Sequence, residues 1–345
     1  MKIIHTYQNT DNGGPLTRST FYYMTLSALL AKRHYGYVVL YTNNEIAEMV
    51  RKIGIPYDEI NTDLLNEVRV KTFSIPKMMV YTVQEEPFIH IDLDSFIFKS
   101  IDFPKTDLIY STYAEGDGDV LNFDTSNSAF YNTYIKRTFE IQNKLPKEFL
   151  KFVKFNKIPN MSIFGGSNYK LIKEATDYCL NIYKETPSLF DNNYYNACVI
   201  EQLFIPSAIR MILNNVNHES FRFLFKGNPS FVDFVPGNDW EYPFTIRSQN
   251  DKIKIEDNEI LFKHVMYDFN GFLHLNGYKT MEELVFLLRQ RIIEDFDGTK
   301  YIKVIDEYFP KKTKADKLMI LYQRRLKYFS DNITTLITNN KSDTN

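Results

Sequence analysis

Cysteine is almost missing from this chain: Cys179 and Cys198 are the only two among 345 residues. Two thiols cannot build a disulfide framework or a cysteine-rich zinc site, and they read as ordinary thiols of a reducing, cytoplasmic compartment. No run reaches the roughly 18–20 apolar residues that a membrane-spanning helix needs. The opening MKIIHTYQNT lacks the apolar stretch of a signal peptide and reads as a strand. An excess of one charge is missing too, with 41 Lys and Arg against 43 Asp and Glu. That balance excludes a broad basic surface for coating nucleic acid. No internal repeat and no Pro/Gly/Ser-rich linker divides the sequence. The segment Asn9 to Pro15 holds Gly13-Gly14 without the full G-x-G-x-x-G spacing, so a dinucleotide fold is not indicated.

Apolar side chains are plentiful. They make up 44% of the chain, with 28 Phe and 24 Tyr, enough for a substantial core and too many for a disordered polymer. Their spacing predicts a strand at Lys2–Tyr7, a helix at Thr20–Tyr35 capped by Gly36, and a strand at Val38–Tyr41. A helix at Asn44–Ile53 ending at Gly54 and an extended piece at Ile55–Ile60 follow. This alternation implies an α/β protein with an open sheet flanked by helices. A third helix is expected within Lys71–Val83, beginning near Pro76, then a strand at Pro87–Ile91 that continues through Ser95–Phe98. Further expectations are a strand at Asp107–Ser111, a mobile loop at Glu115–Asn127 and a helix at Ala129–Lys144. Asn160–Gly166 reads as a strand and tight turn, Tyr169–Lys184 as a helix, and Asn192–Ile212 as a helix kinked or ended by Pro206. Residues 221–263 read as short strands and loops. Residues 1–280 then form the main domain, 281–330 a C-terminal helical extension and 331–345 a frayed polar tail.

The sharpest motif is Asp92-Leu93-Asp94 behind the apolar run Phe88-Ile89-His90-Ile91. On a continuing strand both carboxylates point to one face. At the carboxyl end of a strand in an open α/β sheet they face the crevice where ligands bind. Two anionic groups there suit a hard divalent cation. A buried, uncompensated carboxylate pair is costly, so a positive group is expected beside it. His274 is a chemically acceptable third ligand, with His264 its competitor. Gly277 lets the backbone approach a phosphate, and Lys279 supplies a charge for it.

This set resembles the nucleotide-sugar glycosyltransferases of the GT-A fold, nearest to the glycogenin and lipopolysaccharide galactosyltransferase type. It also looks like GT-A-like proteins of bacteria and phages. In that family an Asp-x-Asp follows a strand of the nucleotide-binding half. A later His-x-x-Gly-x-x-Lys supplies a metal-ligating His and a Lys for the diphosphate. Here His274-Leu-Asn-Gly277-Tyr-Lys279 is one residue shorter between Gly and Lys. Asn160-Met-Ser162-Ile-Phe-Gly165-Gly166 resembles the family's Asn-x-Gly strand segment lining the acceptor and donor sugar site, with Ser162 in the place of the Gly, which implies that Asn160, Gly165 and Gly166 are binding residues. The likeness spans roughly residues 1 to 280. It implies a Rossmann-related mixed sheet, Mn2+ or Mg2+ on Asp92, Asp94 and His274, and a UDP-sugar donor. It implies a glycan, a lipid-linked saccharide or another acceptor. It also implies that His5, Thr6 and Tyr7 hold the base and ribose, that Lys77 approaches the diphosphate, and that Glu201 faces a reacting sugar.

Two other readings stay open: a GT-A-shaped binder without turnover, and a haloacid-dehalogenase-type phosphatase. Phe96 stands where the latter needs Thr or Val, and its motif belongs near the first strand. Tyr194-Tyr195 and Trp240-Glu241-Tyr242 are candidate sugar-stacking aromatics. The basic residues between Arg289 and Lys327 allow peripheral contact with an anionic membrane, but Glu294, Asp295 and Asp297 interrupt them and favour a solvated helix face.

Overall fold

The computed structural model describes residues 1–8, 16–103, 108–112, 114–115, 136–155, 158–191, 194–219, 221–224, 233–235, 272–274 and 282–309. The first half follows the alternation read from the sequence: β1 (Lys2–Thr6), α1 (Arg18–Tyr35), β2 (Val38–Tyr41), α2 (Asn44–Ile53), β3 (Glu59–Asn61), α3 (Ser74–Thr82) and β4 (Phe88–Ile91). Local chemistry sets the ends. The Thr17 hydroxyl accepts from the Thr20 amide in a capping box, starting α1 two residues before the expected Thr20. The Asn43 side chain caps α2 through the Ile46 amide, and Gly54 closes that helix in the left-handed conformation. Strand β3 begins at Glu59, after Pro56 and Tyr57, whose hydroxyl lies 2.9 Å from His5 Nδ1. Pro76 lies in the first turn of α3, where its missing N–H is not needed.

A seven-stranded mixed sheet runs in the order β10-β6-β9-β4-β1-β2-β3, where β6 is Ile109–Ser111, β9 is Ile163–Gly166 and β10 is Phe221–Phe223. Strands β3, β2, β1 and β4 are parallel, and β9 runs antiparallel between β4 and β6. The chain winds outward from β1 to β2 and β3, then returns to place β4 on the other side of β1. The carboxyl ends of β1 and β4 therefore flank a topological switch point. Period-two alternation divides the sheet residues. Ile4, Val39 and Phe88 face α3 and the helices Tyr169–Glu185 and Ile205–Ile212. Ile3, Val38, Ile89 and Ile91 face the opposite side with Ile97 and Phe272.

The expected single strand through Ser95–Phe98 is two strands. The chain turns at Asp92–Ser95, where the Ser95 amide donates to the Asp92 carbonyl at 2.9 Å. Then β5 (Ser95–Ile97) enters a second sheet, antiparallel to β12 (Phe272–His274), which in turn pairs with β11 (Asp233–Val235), while β7 (Ala114–Glu115) and β8 (Ile158–Pro159) form a separate antiparallel pair. Gly165 and Gly166 do not make the expected turn. They lie inside β9 with φ of 145° and 153°, because a Cβ there would collide with the carbonyl oxygens of Phe88 and Leu108 on the flanking strands. Ahead of Pro206 the backbone widens into a π-helical stretch, Val199–Phe204, before helix Ile205–Ile212 resumes. This relieves the clash that a proline ring makes with the preceding turn.

Helices Glu282–Phe296 and Thr299–Tyr308 pack on α1. Leu288, Ile292, Ile302 and Ile305 are buried with Phe21, Met24 and Leu26, so the middle of α1, Phe21–Ala31, is covered on all sides and is mostly apolar. No helix among the described residues is long and apolar enough to cross a membrane. Gly277, Lys279, His264, Trp240-Glu241-Tyr242, the segment Asn9–Pro15, the loop beyond Glu115 and everything after Phe309 lie outside the described residues, as do the side chains of Tyr194 and Tyr195.

Candidate metal centre at the sheet switch point

Hydrogen bonds at its two ends hold the turn from Asp92 to Ser95. The Asp92 amide donates to the Ser162 carbonyl at 2.8 Å, which ties the end of β4 to the segment entering β9. Asn160 shapes that segment: its Oδ1 accepts from the Ser162 amide at 3.0 Å. The Asn160 carbonyl accepts from the Ser111 hydroxyl at 2.6 Å. The Ser27 hydroxyl donates to the Ser95 carbonyl at 3.1 Å, tying the end of the turn to α1.

The second sheet brings in the histidine. In the β5–β12 register His274 lies opposite Ser95, the residue after Asp94. Its Nε2 is 3.8 Å from Asp94 Oδ2. One ligand atom each from Asp92, Asp94 and His274 lies within 4.8 Å of the others. Asp94 and His274 are buried, at 5% and 6% exposure, while Asp92 is half-buried. Two residues read as neighbours in sequence and a third from a distant stretch thus converge at one point.

The positive group beside the carboxylates is Lys77 on α3. Its Nζ lies 2.9 Å from Asp92 Oδ1, 3.2 Å from Asp92 Oδ2 and 2.9 Å from Glu201 Oε1. Burial disfavours its charge, yet the two carboxylates outweigh that and hold the ammonium above the ordinary lysine range. Burial pushes Glu201 up from the usual carboxylate value, and the Lys77 charge opposes this. The Tyr81 hydroxyl, one helical turn beyond Lys77, donates to Glu201 Oε1 at 3.2 Å. Lys77 and Glu201 therefore form a buried ion pair behind Asp92.

The other candidates divide between core and sheet end. His5 is fully buried, with Nδ1 2.9 Å from the Tyr57 hydroxyl and Nε2 3.4 Å from Ser27 Oγ. Desolvation pushes its pKa down to about 3, so it is a neutral core histidine at physiological pH. Thr6 is buried, and its hydroxyl lies 3.1 Å from His90 Nε2. The Tyr7 amide pairs with the Tyr41 carbonyl, and its own carbonyl accepts from the Thr42 hydroxyl at 2.6 Å. Of the basic helix residues, Arg291 pairs with Asp295 and lies over the Phe98 ring, and Arg289 lies 3.5 Å from Asp306.

Two residues of this site were missed in the sequence. Tyr81 gives no signal of its own beyond its i+4 spacing from Lys77. His90 did give one: it stands two residues before Asp92 on a strand, so its side chain shares that face. Its ring is fully buried, edge-on to Tyr81 with centroids 5.3 Å apart, and its Nδ1 is 3.6 Å from Asp92 Oδ1. Burial, the Lys77 ammonium and His5 together hold its pKa well below the usual value.

Fold and site define an α/β protein with a candidate divalent-cation centre at its switch point. Residues 1–236 match the model of a family of unknown function, DUF6734, and the chain belongs to that family. Among solved structures it is similar to the galactosyltransferase LgtC in complex with donor and acceptor sugar analogues. That match has 9% identity, covers 59% of this chain and 71% of that one, and gives a TM-score of 0.32. An active-site mutant of LgtC matches at 9% identity, with 59% and 70% coverage and a TM-score of 0.33. The apo structure of the bifunctional glycosyltransferase WbbM matches at 11% identity, with 64% and 38% coverage and a TM-score of 0.33. A search of the curated proteins finds no match.

Proposed function

We propose that this chain is a metal-dependent glycosyltransferase of the GT-A kind, moving a hexose from a nucleotide-diphosphate donor to an acceptor hydroxyl. The observation that carries the reading is the convergence of Asp92, Asp94 and His274 at the switch point. Two carboxylates and an imidazole make a donor set suited to Mn2+, with Mg2+ the harder alternative. Ligand atoms on one such ion, with bonds of about 2.1 Å, stand about 3–4.2 Å apart, so the three side chains need only small rotations to meet one ion. A divalent cation held there supplies Lewis-acid stabilisation to a departing diphosphate.

The chain's own residues do the rest. Asp92 and Asp94 present the anionic oxygens, and the burial of Asp94 and His274 keeps water from two of the three ligands. Lys77 stays with Asp92 and Glu201, which makes it a holder of the carboxylate geometry. In this reading Gly277 and Lys279 meet the diphosphate, Tyr7 and the sheet end beside it meet the nucleoside, and Asn160 and Glu201 border the sugar. UDP-sugars are the donors proposed, and a glycan or lipid-linked saccharide the acceptor.

A thermal-shift screen of nucleotide-sugars with and without Mn2+ tests the proposal. A donor at one hundred times its Kd stabilises the native state by about 2.7 kcal/mol, enough for a clear shift in Tm. The expected result is a shift that needs Mn2+ and is lost in Asp94→Ala, whose far-UV circular dichroism matches wild type. Donor hydrolysis or transfer should vanish in the same variant. Turnover by Asp94→Ala equal to wild type would overturn the assignment. Binding without hydrolysis or transfer of any donor would replace it with a non-catalytic nucleotide-sugar binder.

A further inference from the structure

We propose that His90 is a positioning residue for Asp92: as the Nδ1–H tautomer, with the Thr6 hydroxyl donating to Nε2, it holds Oδ1 of Asp92. The inference deepens the metal-centre reading and rests on it for its effect on cation binding. Imidazole without charge carries one N–H. Two polar atoms face its two nitrogens, the Thr6 hydroxyl 3.1 Å from Nε2 and Asp92 Oδ1 3.6 Å from Nδ1. The Nε2–H tautomer would donate to Thr6 and leave the Nδ1 lone pair aimed at an anionic oxygen. Nδ1 is fully buried, with no hydrogen-bond partner among the described residues, so that arrangement would be costly. In the Nδ1–H tautomer Thr6 donates to Nε2 and the Nδ1 proton lies on the side of the Asp92 carboxylate, an acceptor it can reach by a small movement. Thr6 can take either role, and a carboxylate can only accept. Closing the 3.6 Å gap to a hydrogen bond needs about 0.5 Å of movement in Asp92. The Tyr81 ring packs edge-on against the imidazole, with centroids 5.3 Å apart. Residues that orient a metal ligand in this way are worth roughly 10–100-fold in metal affinity.

Two measurements on the full chain test this. The first is Mn2+ binding by calorimetry to wild type, His90→Phe, His90→Gln and His90→Asn, with thermal melts to confirm folding. Asn places its amide nitrogen where Nδ1 sits, and Gln places its own near Nε2. His90→Asn should bind within about 3-fold of wild type, while His90→Phe and His90→Gln should lose roughly 10-fold or more. Thr6→Val should weaken binding and Thr6→Ser should not. The second is nitrogen NMR of the histidine rings in metal-free protein, which should show His90 protonated on Nδ1. An Nε2-protonated ring, or equal Mn2+ affinity in folded His90→Phe, overturns the proposal. A wild-type protein that binds no Mn2+ overturns the metal reading, and the tautomer spectrum then decides the role of His90 alone.

Discussion

At the residue scale, one ammonium determines the character of the site. Lys77 balances Asp92 and Glu201 in a setting where Glu201 is 2% exposed. Removing it leaves buried negative charge with no positive partner, which costs more than the pair's net worth. Lys77→Met is expected to lose about 3 kcal/mol in urea unfolding, with part of this recovered in Lys77→Met/Glu201→Gln. The sign of the pH effect follows from the raised folded-state pKa of Lys77. Its stabilisation is complete below the unfolded lysine value and is lost only as pH climbs through the higher folded one. The gap between wild type and Lys77→Met should therefore stay constant from pH 7 to 9. A gap that closes within that range would show that Lys77 loses its charge well below the ordinary lysine value, and would overturn the buried ion pair.

At the element scale, the centre of the sheet depends on β9 being narrow. Strand β9 runs between β4 and β6, and its two glycines pass so close to both neighbours that no side chain fits. The same strand leads from Ser162, whose carbonyl fixes Asp92, so this packing reaches the candidate metal site. Gly165→Ala should cost about 3 kcal/mol or more, because backbone rather than a flexible side chain must move. Gly36→Ala is the control. Gly36 also has positive φ, but a Cβ there meets nothing within 4 Å, so about 1 kcal/mol of conformational strain is expected. Urea denaturation of the two variants measures the difference, and equal costs would mean that β9 has room to relax.

At the scale of the whole molecule, two cores sit on the two faces of one sheet, and the C-terminal helices complete one of them. Phe21, Met24 and Leu26 on α1 meet Leu288, Ile292, Ile302 and Ile305. Truncation at residue 281 would uncover a contiguous apolar face on α1. The truncated chain is expected to bind a hydrophobic dye and to lose its sharp thermal transition. A truncated chain that melts as cooperatively as the full one would show that α1 needs no cover from these helices.

The sequence alone determined the alternation of strands and helices through β4, because period, caps and glycine stops act over a few residues. It also put two carboxylates at a strand end and required a cation beside them. Which cation answered that need was a matter of tertiary structure. In the sequence Lys77 is singled out only by the family resemblance, as a residue near the diphosphate, and it becomes the buried partner of Asp92 only when α3 lies over β4 and meets Glu201 from a distant helix. The division of Ser95–Phe98 from β4 and the inline glycines of β9 were likewise not legible, because strand pairing joins segments far apart in sequence and leaves no local period to mark it. The approach of His274 to Asp94 has the same origin: a three-residue strand finds its register on β5, and that pairing, not any spacing in the chain, closes the candidate metal centre.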